Sequence, residues 1–323
     1  MPIARGLHYL KREGFLSFCR RFLIFATLEW WSKFLLFFKY LGKSSPVIRE
    51  IQGSRMRLSF KDKGVSRELT LVDIREPLLT RTVQGELEKG LCVLDIGANI
   101  GYYALMEASR VGESGQVYAV EPVPHNMQVL EDNIGLNDYR NIETFNQAMG
   151  DSDSTLSMYI SDHPNWCSFY PSGSVIGQIE VPVNRLDTFL QGKRRPDIIR
   201  MDVEGYEYEI FSGMPELLAS GAPLRLFIEF HPDIMGRERA VEFVGILKKH
   251  GFVLKKVILE PNVYPPCSWL AWRLVDCFNK NLLKMKFGAW EMTLDDLIAS
   301  EPIMTGKAGD PGLFLVRDGQ AAG

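Results

Sequence analysis

The chain has 323 residues, 46% of them hydrophobic, enough for one large core plus an appendage, so disorder is not expected. A formal net charge of -3 and a pI near 6.0 supply no basic field for a nucleic-acid backbone, and nucleic acid is not an expected partner. The five cysteines, Cys19, Cys92, Cys167, Cys267 and Cys277, form no CxxC pair and are odd in number, which argues against a disulfide framework or a zinc site and for a reducing compartment.

The first segment, 1–45, shows no leader pattern, and a cytoplasmic protein is expected. Between residues 15 and 41, Leu16, Cys19, Leu23, Ala26, Trp30, Phe34, Phe37 and Leu41 recur at spacings of three and four, while Arg and Lys gather opposite them. This is one amphipathic helix, too often interrupted by charge to span a bilayer. It either packs on the rest of the chain or a second copy, or lies in a membrane surface with its aromatic face at the acyl boundary. The stretch Gly42 to Pro46 ends it and marks a boundary, leaving 46–323 as the main domain.

From there strands and helices alternate. SRMRLSF reads as a strand, DKGVSREL as a turn, REPLLTRTVQGELEKG as a helix stopped by Gly90, and CVLDIG as a buried strand. NIGYYALMEASRVG is a helix, GQVYAVEP a strand, PHNMQVLEDNIGLN a helix and NIETFNQAMG a strand. Two short strands follow at STLSMYI and IEVPVNRL, with Asp187 capping the helix TFLQG. Then come the strand RPDIIRMDVEG, the helix YEYEIFSGMPELLASG, the strand LRLFIEFHP, the helix GRERAVEFVGILKKHG and the strand FVLKKVIL. PGLFLVR adds a last strand. Repeated βα units with apolar strands predict an α/β fold, a doubly wound, Rossmann-like, mostly parallel sheet covered on both faces. Its core is 85–260, and the aromatic-rich insertion 262–310 is expected to form a substrate lid.

Such a sheet binds ligands beyond the carboxyl ends of its strands, and here those ends are acidic: Asp95, Glu121, Asp202 with Glu204, and Glu229 beside His231. In the turn after Asp95 the glycines are Gly97 and Gly101, and Asn99 stands where a dinucleotide fingerprint has its middle glycine. An acid there repels phosphates and attracts an ammonium or sulfonium, which disfavours a nicotinamide enzyme. S-adenosylmethionine has the required charge, and Glu121, ending the next strand, suits its ribose diol.

These residues resemble the FkbM family of methyltransferases, within the class I S-adenosylmethionine-dependent fold. The likeness rests on VLDIGANIGYYAL, AVEPVPHNMQVLEDNI, QAMGD, RLDTF, DIIRMDVEGYEYEIFSGM and IEFHP, in the family's order, over about residues 50–260. The resemblance implies that Asp95, Gly97, Asn99 and Gly101 hold the methionine end of the cofactor and that Glu121, with Pro122, meets the ribose. It also implies that Gln147, Ala148 and Met149 border the adenine, that Asp202 faces the methyl group, and that Glu76 contacts cofactor or substrate. The family's best-known activity suggests a hydroxyl acceptor, so a base is useful. His231 is the first candidate, since imidazole titrates near neutrality, and Asp202 and Glu204 are the second. Asp202 and Glu204 could also bind Mg²⁺, but no further ligand spacing supports it and no metal is expected. Glu207 reads as a solvated helix start. Methyl transfer to a hydroxyl of a sugar, a glycolipid or another small molecule is the expected activity; the alternative is a non-catalytic binding or scaffold protein on the same fold.

Overall fold

The computed structural model describes residues 45–62, 64–163, 165–171, 175–260 and 288–319. The amphipathic stretch 15–41 and the first part of the expected lid, up to residue 287, lie outside the described residues. No described helix is long and apolar enough to cross a membrane.

Thirteen described strands form three sheets. The largest joins β3 (Cys92–Ile96), β4 (Gln116–Val120), β5 (Ile142–Phe145), β9 (Ile198–Met201), β10 (Leu224–Glu229), β11 (Val253–Leu259), β12 (Gly288–Trp290) and β13 (Gly312–Arg317) in the order β12-β11-β13-β10-β9-β3-β4-β5. β3 lies inside the sheet between β9 and β4, with all five residues buried, because Cys-Val-Leu-Asp-Ile must face helices on both sides. It runs parallel to β4 and β9, and β9 parallel to β10. β13 pairs antiparallel with both β10 and β11, so the chain's last described strand lies inside the sheet. Separate apolar clusters cover the two faces: Leu94, Met201, Phe211, Phe230 and Phe243 on one, and Val93, Tyr103, Leu105, Val117 and Phe314 on the other. This is the doubly wound sheet expected from the alternating pattern.

A hairpin of β1 (Val47–Ile51) and β2 (Ser54–Leu58) packs under the helix Pro124–Gly135, where the Asn133 side chain accepts from the Arg57 amide at 2.7 Å. A three-stranded sheet stands beside the carboxyl ends of the main one, with β6 (Ala148–Gly150) parallel to β8 (Val175–Arg185) and β8 antiparallel to β7 (Ser154–Ser161).

Several elements differ from their sequence reading. The stretch 62–69 reads as a turn, but Val65–Leu71 form a helix, because burying Val65 and Leu69 outweighs the breakers before them. NIETFNQAMG is two strands in different sheets, β5 and β6, separated at Asn146 and Gln147. The helix after Asp202 is two, Glu207–Ser212 and Pro215–Ala219, broken at Gly213, where a Cβ would stand 1.8 Å from the Gly150 carbonyl oxygen. Asp187 caps the second of these, accepting from the Glu216 and Leu217 amides at 2.7 and 3.0 Å, and not its own helix. The described part of the insertion, 288–310, contains the edge strand β12 and two short helices, Leu294–Ala299 and Glu301–Met304, that pack against the helix Arg237–Lys249.

Candidate active site

The carboxyl ends of β3, β4 and β9 and the start of β6 meet around a cleft of about 590 Å³, part of it open to solvent. Gly97, Asn99, Glu121, Pro122, Ala148, Met149, Asp202 and Glu204 line it, so the structure gathers eight sequence-derived candidates at one place. Met158 and Cys167 join them from the three-stranded sheet and the segment following β7.

The turn after β3 is shaped by backbone demands. Gly97 has φ +84°, and a Cβ there would stand 2.0 Å from the Asp202 carbonyl oxygen, so no larger residue fits between β3 and β9. Asn99 takes φ +51°, a left-handed conformation that asparagine tolerates. Its amide donates to Glu121 Oε2 at 2.9 Å, while Glu121 Oε1 accepts from the Val123 amide at 2.9 Å and from Asn126 Nδ2 at 3.3 Å. Glu121 thereby ties the glycine turn to the end of β4. Burial pushes its carboxyl up to about 7 against the pull of these donors, with the negative charge of Asp202 adding to the rise.

Asp95 does not line this cleft. It is fully buried and meets an internal cation, Arg200, whose Nη1 donates to Asp95 Oδ1 at 3.0 Å and to the Gly97 carbonyl at 3.2 Å. The charge that the sequence assigned to a ligand is thus supplied by the protein. Arg200 Nη2 also donates to Asp202 Oδ2 at 3.1 Å, and its guanidinium lies over the Tyr103 ring, 4.0 Å from the centroid. Burial pushes the Asp202 carboxyl up, but Arg200, His231 and Arg75 outweigh it and hold the group below its ordinary value. Gly101, at φ +93°, opens the helix Tyr102–Val111 away from the cleft lining, where a Cβ would strike Leu130 Cδ1 at 2.6 Å. Its requirement is packing. Gln147 sits in the bend before β6, half-buried and outside the lining.

Glu76, also expected at the ligand, is 8% exposed and accepts from Tyr103 Oη at 2.8 Å and from Arg75 Nε. It does not line the cleft, and its partners are side chains of the protein. His231 is buried too. Its Nδ1 lies 2.7 Å from Glu207, and burial, which lowers the ring's pKa, is outweighed by this hydrogen bond and by the charges of Glu207, Glu204 and Asp310. The ring is held protonated well above its ordinary range, so it is no proton acceptor near neutrality while that pair stands. Glu207, read as a solvated helix start, is fully buried and also accepts from the Gly205 amide at 3.2 Å.

The sequence reading passed over Arg200 and Glu107. An arginine inside the apolar run of β9, two residues before an acid, was the available signal for the first. Glu107 lies on the helix Tyr102–Val111 in line with Tyr103 and Val111, four residues either side, and that spacing already puts it on the buried face.

Known methyltransferases are similar to this chain. The hexuronic acid methyltransferase AglP of Haloferax volcanii is 26% identical over 179 residues, 54% of this chain and 71% of its own length. The protein-L-isoaspartate O-methyltransferase of Methanothrix thermoacetophila is 39% identical over 57 residues, so the chain spans only 27% of that relative. Among solved structures, the precorrin-6y C5,15-methyltransferase of Geobacter metallireducens GS-15 is 14% identical with a TM-score of 0.38, over 76% of this chain and 89% of that one, a level from which nothing further follows. Residues 95–254 match the methyltransferase FkbM domain. From the end of β3 to the start of β11, the stretch that builds the cleft, the chain belongs to the FkbM methyltransferases, whose cofactor is S-adenosylmethionine.

Proposed function

We propose that this methyltransferase transfers the methyl group of S-adenosylmethionine to a hydroxyl of a sugar, a glycolipid or another small molecule. The observation that carries the cofactor reading is Glu121, a buried carboxyl at the lip of the cleft, held by two backbone amides so that it faces the space beside Gly97 and Asn99. A carboxylate so fixed accepts from both hydroxyls of a ribose. Ala148, Met149 and Met158 offer an apolar slot for a base, and the turn 97–99 meets the methionine end. When bound, the cofactor supplies a methyl group on a cationic sulfur, a leaving group that needs no covalent assistance. The protein's task is to orient the acceptor and take its proton. Asp202 lines the cleft and is held ionised, so it takes the part of base, with Glu204 beside it. His231, behind them, positions and does not accept. The acceptor class is supported by the likeness to the hexuronic acid methyltransferase.

Glu121→Ala is expected to weaken S-adenosylhomocysteine binding about 10- to 100-fold, the order of a charge-assisted hydrogen-bond pair. Calorimetric titration of wild type and variant measures it, and equal affinities would remove the carboxylate from the cofactor site. The wild-type affinity should also depend on pH. The ligand's hydroxyls need the ionised carboxyl, which is half protonated near pH 7 in the free protein, so affinity rises through that range and levels above it. Stability runs the other way: the contribution of this group is fully present below the ordinary carboxyl range and is lost as pH rises through about 7. An affinity flat across that range would show that Glu121 does not change its proton on binding.

A further inference from the structure

Asp202 belongs to a second group besides the cleft. One carboxylate oxygen of Asp202, one of Glu229 and a ring nitrogen of His231 all lie within 4.8 Å of one another. Ligands about 2.0–2.6 Å from a common ion are separated by no more than about twice that distance, so one ion can touch all three. Each residue keeps a donor for it. Asp202 Oδ2 accepts from Arg200, and the Asp202 carboxyl also shares a hydrogen bond with Glu229, a contact that an ion between the two carboxylates would replace. Glu229 Oε2 is buried with no hydrogen-bond partner. His231 is 2% exposed and its Nδ1 pairs with Glu207; Nε2 has no hydrogen bond among the described residues, and an ion binding there must displace the second proton that the ring otherwise holds.

The pair formed by Glu207 and His231 is the more telling observation. A carboxylate on one imidazole nitrogen fixes the ring and its tautomer and turns the other nitrogen outward as a ligand, which is how metal-binding histidines are oriented. Glu207 is itself anchored by the Gly205 amide, so the ring cannot turn without disturbing the segment after β9. Charge points the same way. Asp202, Glu229, Glu76 and Glu207 surround the group, while Arg200 is shared with Asp95 and Arg75 with Glu68 and Glu76. Buried carboxyls in such excess need either protons or another cation. The ends of β9 and β10 bring these donors together, and nothing in their spacing along the chain announces it.

We propose that Asp202, Glu229 and His231 bind a divalent cation. Two carboxylates and one imidazole suit an ion that accepts both oxygen and nitrogen, such as Mn²⁺, in preference to one that requires oxygen alone. Because Asp202 also lines the cleft, the open coordination positions take a hydroxyl of the methyl acceptor; that last clause rests on the reading above, whereas binding of the ion does not.

The test is titration of Mn²⁺ into the full-length chain without cofactor or acceptor, followed by loss of the free-ion electron paramagnetic resonance signal. One saturable site per chain is expected. Glu229→Gln removes a ligand and His231→Gln another, and each should weaken binding at least tenfold. Glu207→Gln removes no ligand and should weaken it about 10- to 100-fold, the usual effect of losing the partner of a ligating histidine. Far-ultraviolet circular dichroism and a thermal transition matching wild type show that each variant has folded. The inference falls if wild type has no saturable site, or if folded Glu229→Gln and His231→Gln bind Mn²⁺ as wild type does. Mn²⁺ binding without S-adenosylhomocysteine binding would uphold the ion site and overturn the cofactor reading, and the reverse result would do the opposite.

Discussion

Arg200→Met is expected to lower the unfolding free energy by about 3–5 kcal/mol, the cost of stranding buried charges whose partner has gone. Among the described residues Arg200 is the cation hydrogen-bonded to both Asp95 and Asp202, at 3.0 and 3.1 Å, and it also donates to the Gly97 carbonyl. Methionine fills much of the same volume and leaves two carboxyls facing each other behind the glycine turn. Asp95 has no exposure through which water could answer its charge. Its carboxyl is already pushed up by burial, with Arg200 opposing, and loss of the arginine drives it toward the neutral form. Urea unfolding of the variant gives the number. Adding Asp95→Asn to it should restore part of the loss, because the stranded charge is then gone. A loss under about 1 kcal/mol would mean that the arginine carries no net stability, as happens for exposed pairs.

Gly97→Ala is expected to weaken S-adenosylhomocysteine binding at least 100-fold, with Gly101→Ala as the contrasting case. At position 97 the added carbon meets backbone, 2.0 Å from the Asp202 carbonyl oxygen and 3.0 Å from its carbon. That backbone cannot retreat freely, since the Asp202 amide donates to the Ile96 carbonyl at 3.0 Å. The left-handed φ adds about 1–2 kcal/mol of strain for alanine. The turn must therefore open, and it carries the amide of Asn99 that holds Glu121. At position 101 the obstacle is the far end of the Leu130 side chain, which can change rotamer, so stability falls while binding largely survives. Gly97→Ala protein that binds within tenfold of wild type would show that the ligand does not use this turn.

Much of this molecule can be read in its sequence, for a physical reason. Apolar runs such as Cys-Val-Leu-Asp-Ile can be stable only between two helical layers, and in a parallel sheet their carboxyl ends form one edge. Glu121, Asp202 and the turn at Gly97 could thus be placed at one site before any coordinates. What escaped was non-local. Asp95 looks the same in sequence whether its cation is a ligand or Arg200, because the choice depends on β9 lying beside β3. Glu207 sits in the first turn of its helix, where acids suit the dipole, and only the fold beneath it replaces water with His231. Glu76, read as a cofactor or substrate contact, meets Tyr103 only because the helix Tyr102–Val111 packs against it, which its local sequence does not show.

The position of β13 sets an order of assembly. Leu224–Glu229 and Val253–Leu259 are never direct neighbours, since Gly312–Arg317 lies between them and hydrogen-bonds to both. As the polypeptide leaves the ribosome, β3, β4, β5, β9 and β10 can pair while it lengthens, but β11 must wait until the residues beyond 311 emerge. Until then the open flank of β10 is an unpaired edge, a template for another nascent chain. Cells that make this protein at a high rate face their greatest hazard of misassembly in that interval, after the methyl-donor site has its parts and before its sheet is closed.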